Sequence, residues 1–402
     1  MGVGKLENQN WKRKFFVIYT GQFFSLLSSA AIQFSIIWWL TDSTGGSPLV
    51  LTIAGLAGFL PQALVGPFAG TITDRYSRKL MMILSDMTVA LGSLLLFITM
   101  YFNDPSIPLV IVILAIRSLA TAFHMPAMQA SIPLLAPEEH LTKVAGWGQT
   151  ISSISNIAGP AVGMSLLAVS SLEWVLMLDV FGAAIASSIL LFIHIPRVSE
   201  TEKEISVSLI AEMREGYHAI VKHPVVLKLT ITMTIVAMLY IPLGTYFPLM
   251  TRDYFNRGVV EAGIVEIIFA AGLIAGGALL GVLGDRLDKV KTMAAGMLLM
   301  GVALFISGIV SPSLFIVFSV MAGLIGLSGP LFSAPFYALI QTEIQPHLLG
   351  RVFSFVTSLS LLATPLGYVV AGVLIEHTSV ATLFSIIGIL IITNAFITSK
   401  VK

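Results

Sequence analysis

The chain has 402 residues, 56% of them hydrophobic and 11% charged, with a formal net charge of +1. That apolar share, far above the roughly 45–50% of soluble domains, and a mean hydropathy of +0.94 exclude a soluble globular protein and a nucleic-acid binder. They predict an all-α polytopic membrane protein, and the absence of cysteine removes disulfides, thiol catalysis and cysteine-held metals.

A bilayer core of about 30 Å is crossed by about 20 apolar residues in a helix. Such runs recur in chain order near residues 15–40, 49–72, 80–101, 108–135, 143–169, 173–195, 225–250, 259–284, 291–310, 313–341, 349–375 and 379–399, which predicts twelve spans. The first follows Lys12, Arg13 and Lys14 and is too long for a leader core, so it reads as a retained span. With the N-terminus inside, the outer loops hold only Arg252 and Arg257 of the 22 basic residues, Arg117 lies within a span, and the rest face the cytoplasm. That asymmetry places both termini on the cytoplasmic side of the cell membrane.

After span two the stretch GPFAGTITDRYSRK, residues 66–79, gathers Asp74, Arg75, Arg78 and Lys79 behind Gly66 and Gly70. Asp86 follows in span three. In span four Arg117 comes nine residues after Pro108, roughly 14 Å deep at 1.5 Å per residue. Placing an arginine there costs at least about 2.5–3.5 kcal/mol, so it should face the protein interior and meet an acid. Asp86 is in the neighbouring span but nearer the inner end, and Asp179 in span six lies closer to the depth of Arg117; both remain open as partners. Span five carries Gly159, Pro160 and Gly163, a kink beside a small-residue face.

The polar interval 196–224 separates a first bundle, residues 1–195, from a second, residues 225–402. Within it Leu209, Ile210, Met213, Tyr217, Ile220 and Val221 fall at helical spacing, which predicts an amphipathic linker helix on the inner leaflet. In span eight Glu266 stands in the otherwise uncharged IVEIIFAAGL, followed by Gly272, Gly276, Gly277 and Gly281 as a close-packing surface expected to cross span five. A worn copy of the first charged stretch then appears, GALLGVLGDRLDKVK, residues 277–291. Gly277, Gly281, Asp285 and Arg286 repeat Gly66, Gly70, Asp74 and Arg75 at an offset of 211 residues, and PEEHLTK at 137–143 is echoed by QPHLLGR at 345–351. Two repeated six-helix halves are the build of a secondary transporter that holds its ligand between them. Gln22, Gln33, Asn156, Tyr240, Tyr246, Tyr337, Gln341 and Tyr368 are the amphipathic side chains within spans suited to lining a large cavity.

On these residues the chain resembles the major facilitator superfamily over its whole length. Gly70, Asp74, Arg75, Arg78 and Lys79 look like its signature loop, with Ser77 where a glycine is usual. Arg117 followed by SLATAFHMPA, and NIAGPAVGM at 156–164, resemble the fourth-helix arginine and fifth-helix motif of drug/proton antiporters. The opening WKRKFFVIYTGQFFSLLSSAAIQF, with GFLPQALVGP and LLGRVFSF, is most similar to macrolide-efflux permeases.

The resemblance implies export of a bulky lipophilic drug against a proton gradient, without cofactor or metal, by a chain that works as a monomer in the lipid bilayer. It implies that Asp74 docks at the start of span eleven near Gly350 and Arg351 as a conformational latch, with Asp285 as its repeat. It implies that the Gly159, Pro160 and Gly163 motif restrains proton leak. Arg117, Asp86, Asp179 and Glu266 are the candidates for proton coupling. No G-x-x-x-x-G-K-[ST], H-E-x-x-H or suitable G-x-S-x-G occurs, which argues against an ATP-driven pump or an intramembrane enzyme. Other exporters of siderophores or lipids, and a transporter-like sensor that binds without moving its ligand, fit the same features.

Overall fold

The computed structural model describes residues 11–103, 105–135, 137, 140–193, 209–283, 286–345 and 348–401, and among these every regular element is helical. In chain order they are α1 (Trp11–Ser43), α2 (Pro48–Arg75), α3 (Arg78–Phe102), α4 (Ile107–Leu135), α5 (Leu141–Leu167), α6 (Leu172–Phe192), α7 (Leu209–Val221) and α8 (Pro224–Tyr240). Then come α9 (Leu243–Leu249), α10 (Val259–Leu283), α11 (Lys289–Ile309), α12 (Phe315–Glu343), α13 (Leu349–His377) and α14 (Val380–Ser399).

Among the described residues eleven helical segments are long and apolar enough to cross a membrane. The expected fifth span is α5. Its 27 residues would cross, but Ser152, Ser153, Ser155 and Asn156 dilute its hydropathy and it does not join the eleven. The expected seventh span is not one continuous helix. Pro242 lacks an N–H to donate, so α8 stops at Tyr240, α9 restarts at Leu243, and a π-helical turn, Met250–Tyr254, carries the span to its end. Large apolar side chains such as Phe102, Val169, Phe192, Val282 and Ile316 are exposed along the helices, as expected where lipid replaces water.

The two copies of the charged loop share a local reason for their shape. Ser77 caps α3, its hydroxyl accepting from the Leu80 N–H, with φ −65° and ψ 117°. Asp288 caps α11, its carboxylate accepting from the Lys291 N–H at 2.8 Å, with φ −64° and ψ 121°. These positions are 211 residues apart. Because φ is negative at Ser77, a side chain there costs nothing, and its hydroxyl satisfies an orphan helix donor that glycine would leave to water.

By contact the chain divides into two units, Met1–Ile36 with Ala57–Ser206, and Ile37–Leu56 with Val207–Lys402. In the first unit α3 packs against α4 and α6, and one end is filled by Trp11, Phe15, Ile18, Tyr19, Met82, Met128 and Leu190. In the second, α11 packs against α12 and α14, and α10 against α12. The ends of α1 and α2 belong to this second unit. Thr52 and Tyr246 share a hydrogen bond of 2.7 Å, and Arg252 Nε donates to Asp42 Oδ1 at 3.0 Å. The α1–α2 turn reaches this position through Gly45 and Gly46, at φ +63° and +79°, values that a Cβ disfavours.

Glycine faces are used inside each unit. A Cβ on Gly159 would lie 2.4 Å from the Ala30 Cβ and one on Gly163 2.4 Å from the Ala31 carbonyl, so α5 presses on α1. Gly272 and Gly276 meet the Gly323 and Leu327 carbonyls of α12. In each unit, then, a pair of glycines four residues apart brings two helix backbones into close approach. A Cβ on Gly277 or Gly281 would have nothing within 4 Å among the described residues, so the four glycines of α10 form two faces rather than one.

The linker segment carries α7, which packs one strip against the second unit's own helices. Gly216, Ala219 and Ile220 are buried while Tyr217 and Val221 are exposed, because the missing side chain of Gly216 lets α7 settle on the Arg351 carbonyl and Phe355 of α13.

Candidate functional site

Arg117 is 4% exposed and Asp179 1% exposed, and they form a buried ion pair between α4 and α6. Of the two acids left open by the sequence, the structure selects Asp179. The pair is tied into its surroundings: Arg117 Nη1 also donates to Ser93 Oγ at 2.8 Å, and Ser93 Oγ donates to Asp179 Oδ2 at 2.7 Å. Ser29 Oγ donates to Asp179 Oδ1 at 3.1 Å, and Arg117 Nη2 donates to the Ser29 carbonyl at 3.2 Å. Four helices, α1, α3, α4 and α6, thus converge on one carboxylate. A buried pair with its remaining lone pairs occupied offsets its desolvation, whereas removing one partner costs about 3–5 kcal/mol.

Arg117 lines a cavity of about 330 Å³ within the first unit. Asp86, Gln33 and Asn156 line it too, so four of the residues singled out in the sequence meet here, with Asp179 directly behind Arg117. Pro160 leaves the Asn156 carbonyl without its usual helical donor, adding an acceptor to the α5 backbone beside the cavity. The cavity also holds His124, Gln62 and Ser118, which the sequence reading did not single out. The signal for His124 was available: it lies seven residues after Arg117, on the same face of α4.

Other expected residues are placed elsewhere. Gln22 is fully buried, and its amide has no hydrogen-bond partner among the described residues. In the second unit Glu266 is half-buried on α10 within electrostatic reach of Tyr240. Tyr337 is 44% exposed and faces Phe353 at a centroid distance of 5.9 Å.

Of the latch residues, Gly70, Asp74 and Arg75 lie in the last turns of α2, and the side chains of Asp74 and Arg75 are outside the described set, as is the whole of Asp285. Arg286 is exposed beyond α10, and Arg78 opens α3. Lys79 Nζ donates to the carbonyls of Leu191 and Ile193 at 3.0 and 3.1 Å, closing the C-terminus of α6. Lys79→Met should therefore lower thermal stability by about 1–2 kcal/mol through lost end-of-helix hydrogen bonds. An unchanged melting temperature in detergent would show that water replaces the cap. Arg351 at the start of α13 pairs with Glu215 of the linker helix, a partner the sequence gave no reason to choose.

The sequence profile of the Major Facilitator Superfamily matches residues 18–267 and 243–400. Macrolide efflux protein A of Streptococcus pyogenes is 39% identical over 388 residues, 96% of either chain. Macrolide efflux protein A of Enterococcus faecalis is 40% identical over 322 residues, 80% of this chain and 99% of that one. Among solved structures the nucleoside transporter NupG superposes with a TM-score of 0.72 at 12% identity, covering 96% of this chain and 98% of that chain, a likeness of fold.

Proposed function

We propose that this chain, which belongs to the Major Facilitator Superfamily, exports a bulky lipophilic drug, foremost a macrolide, in exchange for protons by alternating access across the cell membrane. Alignment of 96% and 80% of this chain with two proteins named for macrolide efflux supports the substrate class. The observation that carries the coupling is the buried Arg117–Asp179 pair beside a polar cavity, a carboxylate whose partner can hold it charged or release it to a proton as the surroundings change. One proton moving inward through 100 mV releases about 2.3 kcal/mol, enough to sustain roughly a fiftyfold concentration difference of an uncharged substrate.

In this reading the termini are cytoplasmic, the protein acts as a monomer without a cofactor, and the membrane proton gradient is its energy source. Asp74 and Asp285 latch the cytoplasmic side through helix N-termini, whose dipoles favour a carboxylate. Glu266 with Tyr240 supplies a second acidic locus in the C-terminal half. The test is accumulation of a labelled macrolide in cells with and without the protein. Expression should lower accumulation and an uncoupler should restore it. Accumulation that is identical in both cells would overturn the substrate assignment, and a reduction that survives the uncoupler would overturn the coupling.

A further inference from the structure

The cavity beside Arg117 contains a second ionisable pair that takes no part in the Asp179 network. His124 follows Arg117 by two turns of α4, about 10 Å, and Asp86 precedes Ser93 by the same interval on α3. The two helices therefore present two rungs. In one, Arg117 and Asp179 are joined through Ser93 and Ser29; in the other, His124 Nε2 lies 3.3 Å from Asp86 Oδ1, to which Ser25 Oγ donates at 2.8 Å. Asp86 is 4% and His124 6% exposed. The imidazole and carboxylate are close enough for an ion pair but not aligned as a hydrogen bond. His124 Nε2 and Asp86 Oδ2 have no hydrogen-bond partner among the described residues, although both side chains line the cavity.

The charge balance separates the rungs. Arg117 is compensated by Asp179, so the charge of Asp86 is compensated only when His124 is protonated. The groups facing His124 are Asp86 from α3, Arg117 from α4 itself and, behind it, Asp179 from α6. The described cavity residues contributed by α1, α2 and α5 are uncharged. Histidine is the side chain whose charge changes in the working pH range.

We propose that Asp86 and His124 form a second proton-exchange site, which carries one proton in addition to the one handled at Arg117–Asp179. This rests on the reading of the chain as a proton-driven exporter. In the exchange the Nε2–H bond of the imidazolium breaks and its proton passes to an Asp86 oxygen or to water. The first transfer leaves a neutral pair and the second leaves a carboxylate beside neutral imidazole.

Two measurements test it. In protein carrying carbon-13 histidine, the His124 ring signal, assigned by its loss in His124→Gln, should titrate, and Asp86→Asn should move its midpoint at least tenfold in proton concentration toward acid. A midpoint indifferent to Asp86→Asn, or a ring that stays neutral from pH 5 to 8, overturns the proposal. In proteoliposomes loaded with a pH dye, protons moved per labelled macrolide should fall by one in His124→Gln. An unchanged ratio overturns the second site and leaves the exporter reading standing. Absence of macrolide-driven proton movement in the wild type overturns the exporter reading, while the histidine titration still reports on the pair. The proton count keeps the proposal testable if Asp86→Asn fails to fold.

Discussion

Asp179→Asn should abolish the proposed macrolide export and sharply reduce folded protein, while Asp179→Asn combined with Arg117→Gln should recover folded protein without recovering export. Asparagine keeps the volume of Asp179 but leaves Arg117, 4% exposed, without its counter-charge. An uncompensated buried charge costs about 3–5 kcal/mol, and for arginine inside a membrane the insertion cost alone is at least about 2.5–3.5 kcal/mol. Neutralising both partners removes that debt, since a buried ion pair is often replaceable by neutral groups of similar size at little cost. A structural role would therefore be rescued by the second change and a proton-exchange role would not. Fluorescence-detected size exclusion and macrolide accumulation in the same cells read the two effects separately. Export by the double variant at the wild-type level would reduce the pair to a packing device.

Two adjacent glycines should respond oppositely to one substitution. Gly276→Leu drives a Cβ to within 2.2 Å of the Leu327 carbonyl of α12, whereas a Cβ at Gly277 has nothing within 4 Å among the described residues. Inside a membrane no water-driven force holds α10 to α12, so close backbone approach is the main source of their attraction. Overpacking costs about 1–3 kcal/mol where side chains can shift, and more here because the atom met is backbone. Both changes gain the same helix propensity, about 1 kcal/mol, which leaves Gly277→Leu as stable as the wild type or slightly better. The melting temperature of Gly276→Leu should fall by many degrees and that of Gly277→Leu should hold; equal losses would show that α10 is packed on both faces.

These two sites show what the residues disclosed in advance. The depth of Arg117 in its span required an interior acid, and the matching depth of Asp179 was visible because helical rise converts sequence distance into height. Which helix sits opposite was not visible, since an apolar run has no marked face when lipid and protein interior are equally apolar. For the same reason Gly272, Gly276, Gly277 and Gly281 read as one surface, although their spacing already splits them into the pairs that the structure separates. His124 passed unremarked because a lone histidine in an apolar run is usually a packing residue. Its register with Arg117, and that of Asp86 with Ser93, becomes informative only once α3 and α4 are known to be neighbours. The repeat at 211 residues was legible and extends to local geometry, where Ser77 and Asp288 cap their helices with nearly the same dihedral angles. The partner of Arg351 was not, because Glu215 belongs to a linker helix whose inward strip is chosen by the absence of a side chain at Gly216.

The most direct test of proton exchange at the Arg117–Asp179 pair uses purified protein in liposomes that are acid inside, with labelled macrolide outside. Wild-type protein should concentrate the drug inside as protons leave, lose that accumulation when an ionophore collapses the gradient, and show none in the folded double variant. Accumulation by the double variant that still follows the imposed gradient would place the exchanged proton on other groups.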